Sequence, residues 1–399
     1  MHDLAVFGAA ILLVSVALLA ALLSTKLSGR FSIPAAAAFL VAAAVALDLF
    51  PSLNVSILTV ERVATVALIV ILFDGGTSIG WRKFRAAAIP IASLGVVGTF
   101  ATAGGMALFA HWALGLDWTL AGLLGAAVAP TDPAVMFSVF GGHEIEGRAG
   151  TILEGESGAN DPVGIALMIG MIELATHPDA TFWIVVREFS IQMSVGLLVG
   201  ALGGLAMGAL RRRLALPSSG LYALRMLAGA GIVYGVAAVA HGSGFLAVFV
   251  AGLVVGDVRG PFTAEIEIFQ DALASLAEIV VFVVLGLTIA ISAISLTRWG
   301  EGLLLAAVLA LIVRPVVAAL LLMPARLRHG ERAFIAWGGL KGAVPILLGS
   351  FAVERGVHDA SRIYELVFVV VLTSVVVQGT TITAAARRLG VSMERSAAS

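Results

Sequence analysis

Residues 156–162 read Glu-Ser-Gly-Ala-Asn-Asp-Pro in the middle of a long apolar stretch. A carboxylate at bilayer depth costs about 3 kcal/mol or much more, so such groups are rare and by default mark an ion or proton pathway. At helical spacing Ser157 and Asp161 share one face, and Glu156 and Asn160 share the next. Pro162 leaves the carbonyl of residue 158 without its helical donor. A hydroxyl, a carboxylate and a freed carbonyl are hard oxygen ligands of the kind that hold a small cation. The bland reading is a polar seam that only joins helices. Two carboxylates within the heptapeptide favour the ion site.

Three other apolar stretches carry polar groups that need explaining. Residues 129–133 read Ala-Pro-Thr-Asp-Pro. Two prolines bracket a Thr-Asp pair, so Thr131 and Asp132 are expected in an unwound stretch, which at this depth is tolerated only where protein buries it or it lines a cavity. The bland alternative, compatible with function, is a proline-kinked helix whose second half Asp132 caps. Residues 338–345 read Gly-Gly-Leu-Lys-Gly-Ala-Val-Pro, a second interrupted span with Lys341 as a buried cation. Arg314-Pro315 supplies another cation, and a guanidinium stays charged at any depth, so it must be paired or hydrated. Glu154 and Glu156 are the natural partners, and a structural pair of Glu156 with Lys341 or Arg314 outweighs an ion-carrying role for Glu156. Asp74, in Phe73-Asp74-Gly75-Gly76, lies about two turns from the basic run Arg82–Arg85, where it lines the mouth of a path or forms a cap or salt bridge. Glu278 is assigned to Arg225, while Glu173 and Asp179 fall near span ends and are expected to be hydrated.

These groups need helices to hold them. The chain has 399 residues, 60% hydrophobic and 12% charged, against roughly 25% charged in soluble domains. That composition points to an all-α polytopic membrane protein. The net charge of −1 gives no field for nucleic acid, and the absence of cysteine excludes disulfides and thiolate metal sites. Hydropathy and breakers give about thirteen spans: 3–25, 32–49, 58–77, 86–112, 118–140, 148–175, 182–210, 219–240, 243–257, 268–290, 300–323, 331–354 and 362–386. Residues 263–273 read as an interfacial lead-in to span ten. With the N-terminus outside and the C-terminus in the cytoplasm, sixteen Lys and Arg residues fall on the cytoplasmic side and five on the other. Arg225, Arg314 and Lys341 fall inside spans. The first segment has no basic residue before it, so it reads as a retained span rather than a signal peptide. Gly196, Gly200, Gly204 and Gly208 form a small-residue ridge, better suited to internal packing than to a dimer seam. Spans five and twelve suit the matching broken helices of two inverted halves.

Together Thr131-Asp132-Pro133, Glu156-Ser157 with Asn160-Asp161-Pro162, Phe73-Asp74-Gly75-Gly76 and Gly339-Leu340-Lys341-Gly342-Ala343 resemble the NhaP-type cation/proton antiporters in order and spacing across most of the chain. The resemblance implies thirteen spans, two crossed broken helices, a core and a dimerisation subdomain within residues 1–388, and a homodimer in the cell (inner) membrane. Residues 389–399 would be a short cytoplasmic tail with no soluble regulatory domain. It implies exchange of Na⁺ or K⁺ for H⁺ by an elevator-like movement, with no cofactor and no enzymatic reaction. Asp161 would be the ion and proton carboxylate, with Thr131 and Ser157 as further ligands of Na⁺ or K⁺. Asp132 and Asn160 would stabilise the broken region, Asp74 would take part through water, and Glu156 would pair with a base in span twelve. Lys341 and Pro345, where many relatives have arginine and no proline, are closer to the branch described as K⁺/H⁺ antiporters.

The exchange also follows without the resemblance. One carboxylate does not hold a proton and a cation together, so a site reached alternately from two sides exchanges them. With Asn160 where some antiporters have a second aspartate, one titrating group predicts electroneutral, one-for-one exchange. A cation channel uses similar carboxylates. Gly155-Glu156-Ser157-Gly158 also fits an intramembrane serine protease of the rhomboid type, which would need a histidine such as His111 or His241 facing Ser157.

Overall fold

The computed structural model describes residues 19, 34–132, 143–145, 147–177 and 179–395. The predicted first span, Lys26, Arg30, Pro133 and the second half of predicted span five lie outside them.

The described chain is helical. In order, α1 is Ala35–Leu49, α2 Ile57–Ala86, α3 Ala88–Leu114, α4 Trp118–Val128, α5 Arg148–Thr176, α6 Phe182–Arg213 and α7 Ser219–Val239. Then follow α8 Gly244–Gly256, α9 Thr263–Gly286, α10 Leu296–Leu321, α11 His329–Trp337, α12 Ala343–Glu354 and α13 Ala360–Arg388. Of these, α3, α6, α7, α9, α10 and α13 are long and apolar enough to cross a membrane. One small antiparallel ribbon departs from the all-α expectation: β1 (His143–Ile145) pairs with β2 (Met393–Arg395).

Local chemistry sets several helix starts. Asp117 accepts hydrogen bonds from the Thr119 and Leu120 amides at the start of α4, and Ser243 and Ser295 do the same for α8 and α10. Helix α2 runs past the predicted end of span three, interrupted by Gly80 at φ +66°. Asp257, at the end of α8, accepts from the Arg82 amide and so caps the restarted helix. The predicted lead-in at residues 263–273 is part of a single helix, α9. Pro162 does not break α5. Three helices widen into a π-type turn: α3 at Ser93–Gly98, α10 at Leu309–Val313 and α13 at Ser374–Gln378. The turn in α10 immediately precedes Arg314-Pro315, where the proline withdraws a backbone donor and crowds the preceding turn.

Glycines let the central helices approach. The ridge on α6 faces α8: a Cβ on Gly200 would lie 2.6 Å from the Ala247 carbonyl oxygen and 2.9 Å from its Cα, and Gly196, Gly204 and Gly208 meet Ser243, Ala251 and Val258. On its other side α8 crosses α2 at Gly76 and Gly252. The ridge is therefore spent on packing within one chain. Gly200→Ala meets backbone that cannot yield, whereas Gly231→Ala on α7 meets nothing within 4 Å. Overpacking of this kind costs about 1–3 kcal/mol. Thermal unfolding of the detergent-solubilised protein should show a clearly lowered midpoint for Gly200→Ala and none for Gly231→Ala.

Candidate functional site

The chain leaves its helices at two places that meet. Helix α4 ends at Val128 and residues 129–132 are unwound. Helix α11 ends at Trp337, and residues 338–342 separate it from α12. Buried backbone without partners is costly, so each of these groups must be accounted for. The Asp132 amide donates to the Leu340 carbonyl at 2.8 Å. The Lys341 ammonium donates to the carbonyls of Ala129 (2.8 Å) and Pro130 (2.9 Å) at the C-terminal end of α4. The Asp132 carboxylate lies directly against Gly342, at the N-terminus of α12. A cation thus sits at a helix C-terminus and an anion at a helix N-terminus, both in the favourable sense of the helix dipole. The Asp132 carboxylate thus lies at the start of the second half of predicted span twelve, and its expected place at the second half of span five lies outside the described residues.

Helix α5 holds the other side of the Thr131 stretch. Ser157 Oγ donates to the Thr131 carbonyl at 2.6 Å. Asn160 Nδ2 donates to Thr131 Oγ1 at 2.7 Å, and Asn160 Oδ1 accepts from the Thr131 amide at 3.3 Å. Thr131 is therefore gripped at its amide, carbonyl and hydroxyl. Asp161, one residue beyond Asn160, is 6% exposed, and its Oδ1 is buried with no hydrogen-bond partner. A buried carboxylate oxygen left unpaired is costly, and it is where a proton or a cation would bind. Ser157, with its only proton turned to Thr131, has oxygen lone pairs left for a cation on the same face.

Glu156 is fully committed elsewhere. It forms a bidentate pair with Arg314 of α10, Nη1–Oε1 at 2.5 Å and Nη2–Oε2 at 2.8 Å, with the two side chains 1% and 4% exposed. Its base is therefore not Lys341 of span twelve, as the resemblance implied. Arg314 Nη2 also donates to the Ile335 carbonyl near the end of α11, and its guanidinium rests on Gly339. Bidentate geometry suits a planar guanidinium, whereas the ammonium of Lys341 is better placed on two separate carbonyls.

Not every expected residue converges. Asp74 is half-buried on α2, makes no hydrogen bond with Asp161, Ser157 or Thr131, and lies within electrostatic reach of Asp271 on α9. Glu154 lies half-buried two residues before Glu156 on α5. The expected Arg225–Glu278 pair is replaced: Arg225 donates to the Leu214 (2.8 Å) and Leu210 carbonyls at the end of α6 and covers the Tyr222 ring, while Glu278 lies within electrostatic reach of Asp132. Ser374 and Gln378 of α13 were missed. Ser374 accepts from the Lys341 amide at 2.9 Å, and Gln378 donates to the Trp337 carbonyl at 3.1 Å. The available signal was two polar residues four apart in an apolar span.

Residues 10–388 match the family described as sodium/hydrogen exchanger, transmembrane. The chain belongs to this family. It is 36% identical over 387 residues to the K(+)/H(+) antiporter NhaP of Alkalimonas amylolytica, covering 95% of this chain and 66% of that one. It is 35% identical over 332 residues to the K(+)/H(+) antiporter NhaP2 of Shewanella sp. (strain ANA-3), covering 82% and 58%. The chain thus spans less than two thirds of the length of the curated relatives it matches. Its fold matches the sodium proton antiporter MjNhaP1 from Methanocaldococcus jannaschii with a TM-score of 0.79 at 22% identity, covering 94% of this chain and 99% of that one. A family of exchangers leaves no place for the protease reading, and the Ser157 hydroxyl is turned to a backbone carbonyl.

Removing one partner of a buried ion pair strands the other charge, at a cost of about 3–5 kcal/mol, whereas replacing both by apolar groups is often neutral. Glu156→Gln should lower the thermal midpoint sharply, and the double variant Glu156→Leu with Arg314→Met should regain most of it.

Proposed function

We propose that the chain is a secondary active antiporter exchanging a monovalent cation, Na⁺ or K⁺, for H⁺. The observation that carries this reading is Asp161 Oδ1, buried and without a hydrogen-bond partner while Thr131, Ser157 and Asn160 are bonded to one another. Asp161 holds either the proton or the cation. Ser157 Oγ and Thr131 Oγ1 supply neutral oxygens to the cation, and their existing hydrogen bonds hold those oxygens in place. Asn160 and Asp132 keep the unwound stretch open, and Lys341 and Arg314 neutralise the helix ends around it.

With one working acid, each cycle carries one charge in each direction, so exchange is electroneutral. The unwound stretches at residues 129–132 and 338–342 act as the crossing points of two broken helices related by an inverted repeat, in a bundle of about thirteen spans. Asp74 serves the aqueous approach rather than the site itself. The protein works as a homodimer in the cell (inner) membrane, with the N-terminus outside and the C-terminus in the cytoplasm. The likeness to K(+)/H(+) antiporters supports K⁺ as the first cation to test.

The test is dequenching of a pH dye in everted vesicles, with K⁺, Na⁺ and Li⁺ added in turn. Wild-type protein should give cation-dependent proton flux whose rate is indifferent to an imposed membrane potential. Asp161→Asn should abolish that flux while the purified protein keeps a wild-type elution profile. Retained flux in the variant sinks the site, a strong response to potential sinks the stoichiometry, and single-channel currents would favour a channel.

A further inference from the structure

Helix α13 supplies a polar relay to the unwound stretch at residues 338–342. Ser374 and Gln378 are each 5% exposed and sit at the two ends of the π-type turn. Gln378 Nε2 donates to the Trp337 carbonyl at 3.1 Å, where α11 ends. Its amide orientation is thereby fixed, because only the nitrogen end of a carboxamide can donate to a carbonyl. Gln378 Oε1 must then face Ser374, whose hydroxyl donates to it at 2.6 Å. With its only proton used, Ser374 Oγ accepts from the Lys341 amide at 2.9 Å. The relay runs one way, from the Lys341 N–H to the Trp337 C=O, and bridges both ends of the stretch.

The widened turn matters to this geometry. A π-type turn leaves a local mismatch in the helical hydrogen-bond ladder and is frequently found at functional sites. Here it brings two polar side chains of one helix onto the backbone of another. Lys341 in turn donates to the Ala129 and Pro130 carbonyls, and Leu340 accepts from Asp132. Whatever fixes residues 338–342 therefore also fixes Thr131, the residue gripped from α5 beside Asp161.

We propose that Ser374 and Gln378 are positioning residues of the exchange site: a latch on α13 that holds the Lys341 stretch, and through it the Thr131 oxygens, in cation-binding register. The proposal rests on the antiport reading. It places the effect of the latch on cation affinity, because loosening it displaces ligands without touching Asp161.

The experiment compares Gln378→Leu, Gln378→Glu, Ser374→Ala and Ser374→Thr with wild type in proteoliposomes, with flux normalised to folded protein. Gln378→Leu and Ser374→Ala should raise the apparent KM for the cation at least fivefold with the maximal rate within twofold of wild type, and Ser374→Thr should restore the KM. Gln378→Glu should work toward acid pH, where the protonated acid still donates to Trp337, and fail as the pH rises and the carboxylate loses its donor proton. A fall in maximal rate at unchanged KM means that these residues only support the fold, and overturns the proposal. So does a Gln378→Glu profile that tracks wild type. Amide hydrogen exchange at residues 338–342 separates the two readings. Faster exchange in Gln378→Leu supports the latch even if wild type shows no antiport, and unchanged exchange overturns the latch whatever the flux.

Discussion

The Lys341 ammonium on the Ala129 and Pro130 carbonyls is the contact on which the site depends. Two stretches of chain give up helical hydrogen bonds in the protein interior, which is tolerable only if each freed group finds another partner. Lys341 satisfies two carbonyls at the end of α4 at once. The Asp132 amide takes Leu340, and the Asp132 side chain faces the start of α12. The two stretches solve each other's problem, so neither is expected to hold its unwound form alone.

Once that pairing is made, the remaining charges sort themselves by geometry. Arg314 takes Glu156 through two parallel bonds and also serves the end of α11. Asn160 and the Ser157 hydroxyl proton are engaged by Thr131. Asp161 is left with a buried oxygen and no partner. It follows Glu156 by five residues on the same helix, yet one carboxylate is locked into an ion pair and the other is open. That division of labour comes from where α10 and the Thr131 stretch lie, not from a difference between the two acids.

Much of this was legible in the chain itself. Prolines and glycines at 130–133 and 338–345 announced the unwound residues 129–132 and 338–342, and helical phase put Ser157 with Asp161. Most helix boundaries follow from hydropathy because an apolar span has few ways to end. What was not legible depends on which faces meet. A buried arginine and a buried lysine both want an anion, and only the fold shows that Arg314 reaches Glu156 while Lys341 reaches backbone. Arg225 looked equally in need of a carboxylate, but carbonyls at the end of α6 and the Tyr222 ring serve it. The π-type turn that presents Ser374 and Gln378 leaves little trace in composition, since serine and glutamine in an apolar helix read as isolated polar substitutions.

The proposed exchange rests on a single carboxylate that would trade a proton for a cation. Proton release on cation binding tests it most directly. Concentrated, weakly buffered protein is mixed with K⁺ or Na⁺ against a choline control, and released acid is read with a pH indicator. The account predicts up to one proton released per chain, saturating with the cation and absent in Asp161→Asn. Saturable cation binding with no proton release, or release that persists in Asp161→Asn, would contradict it.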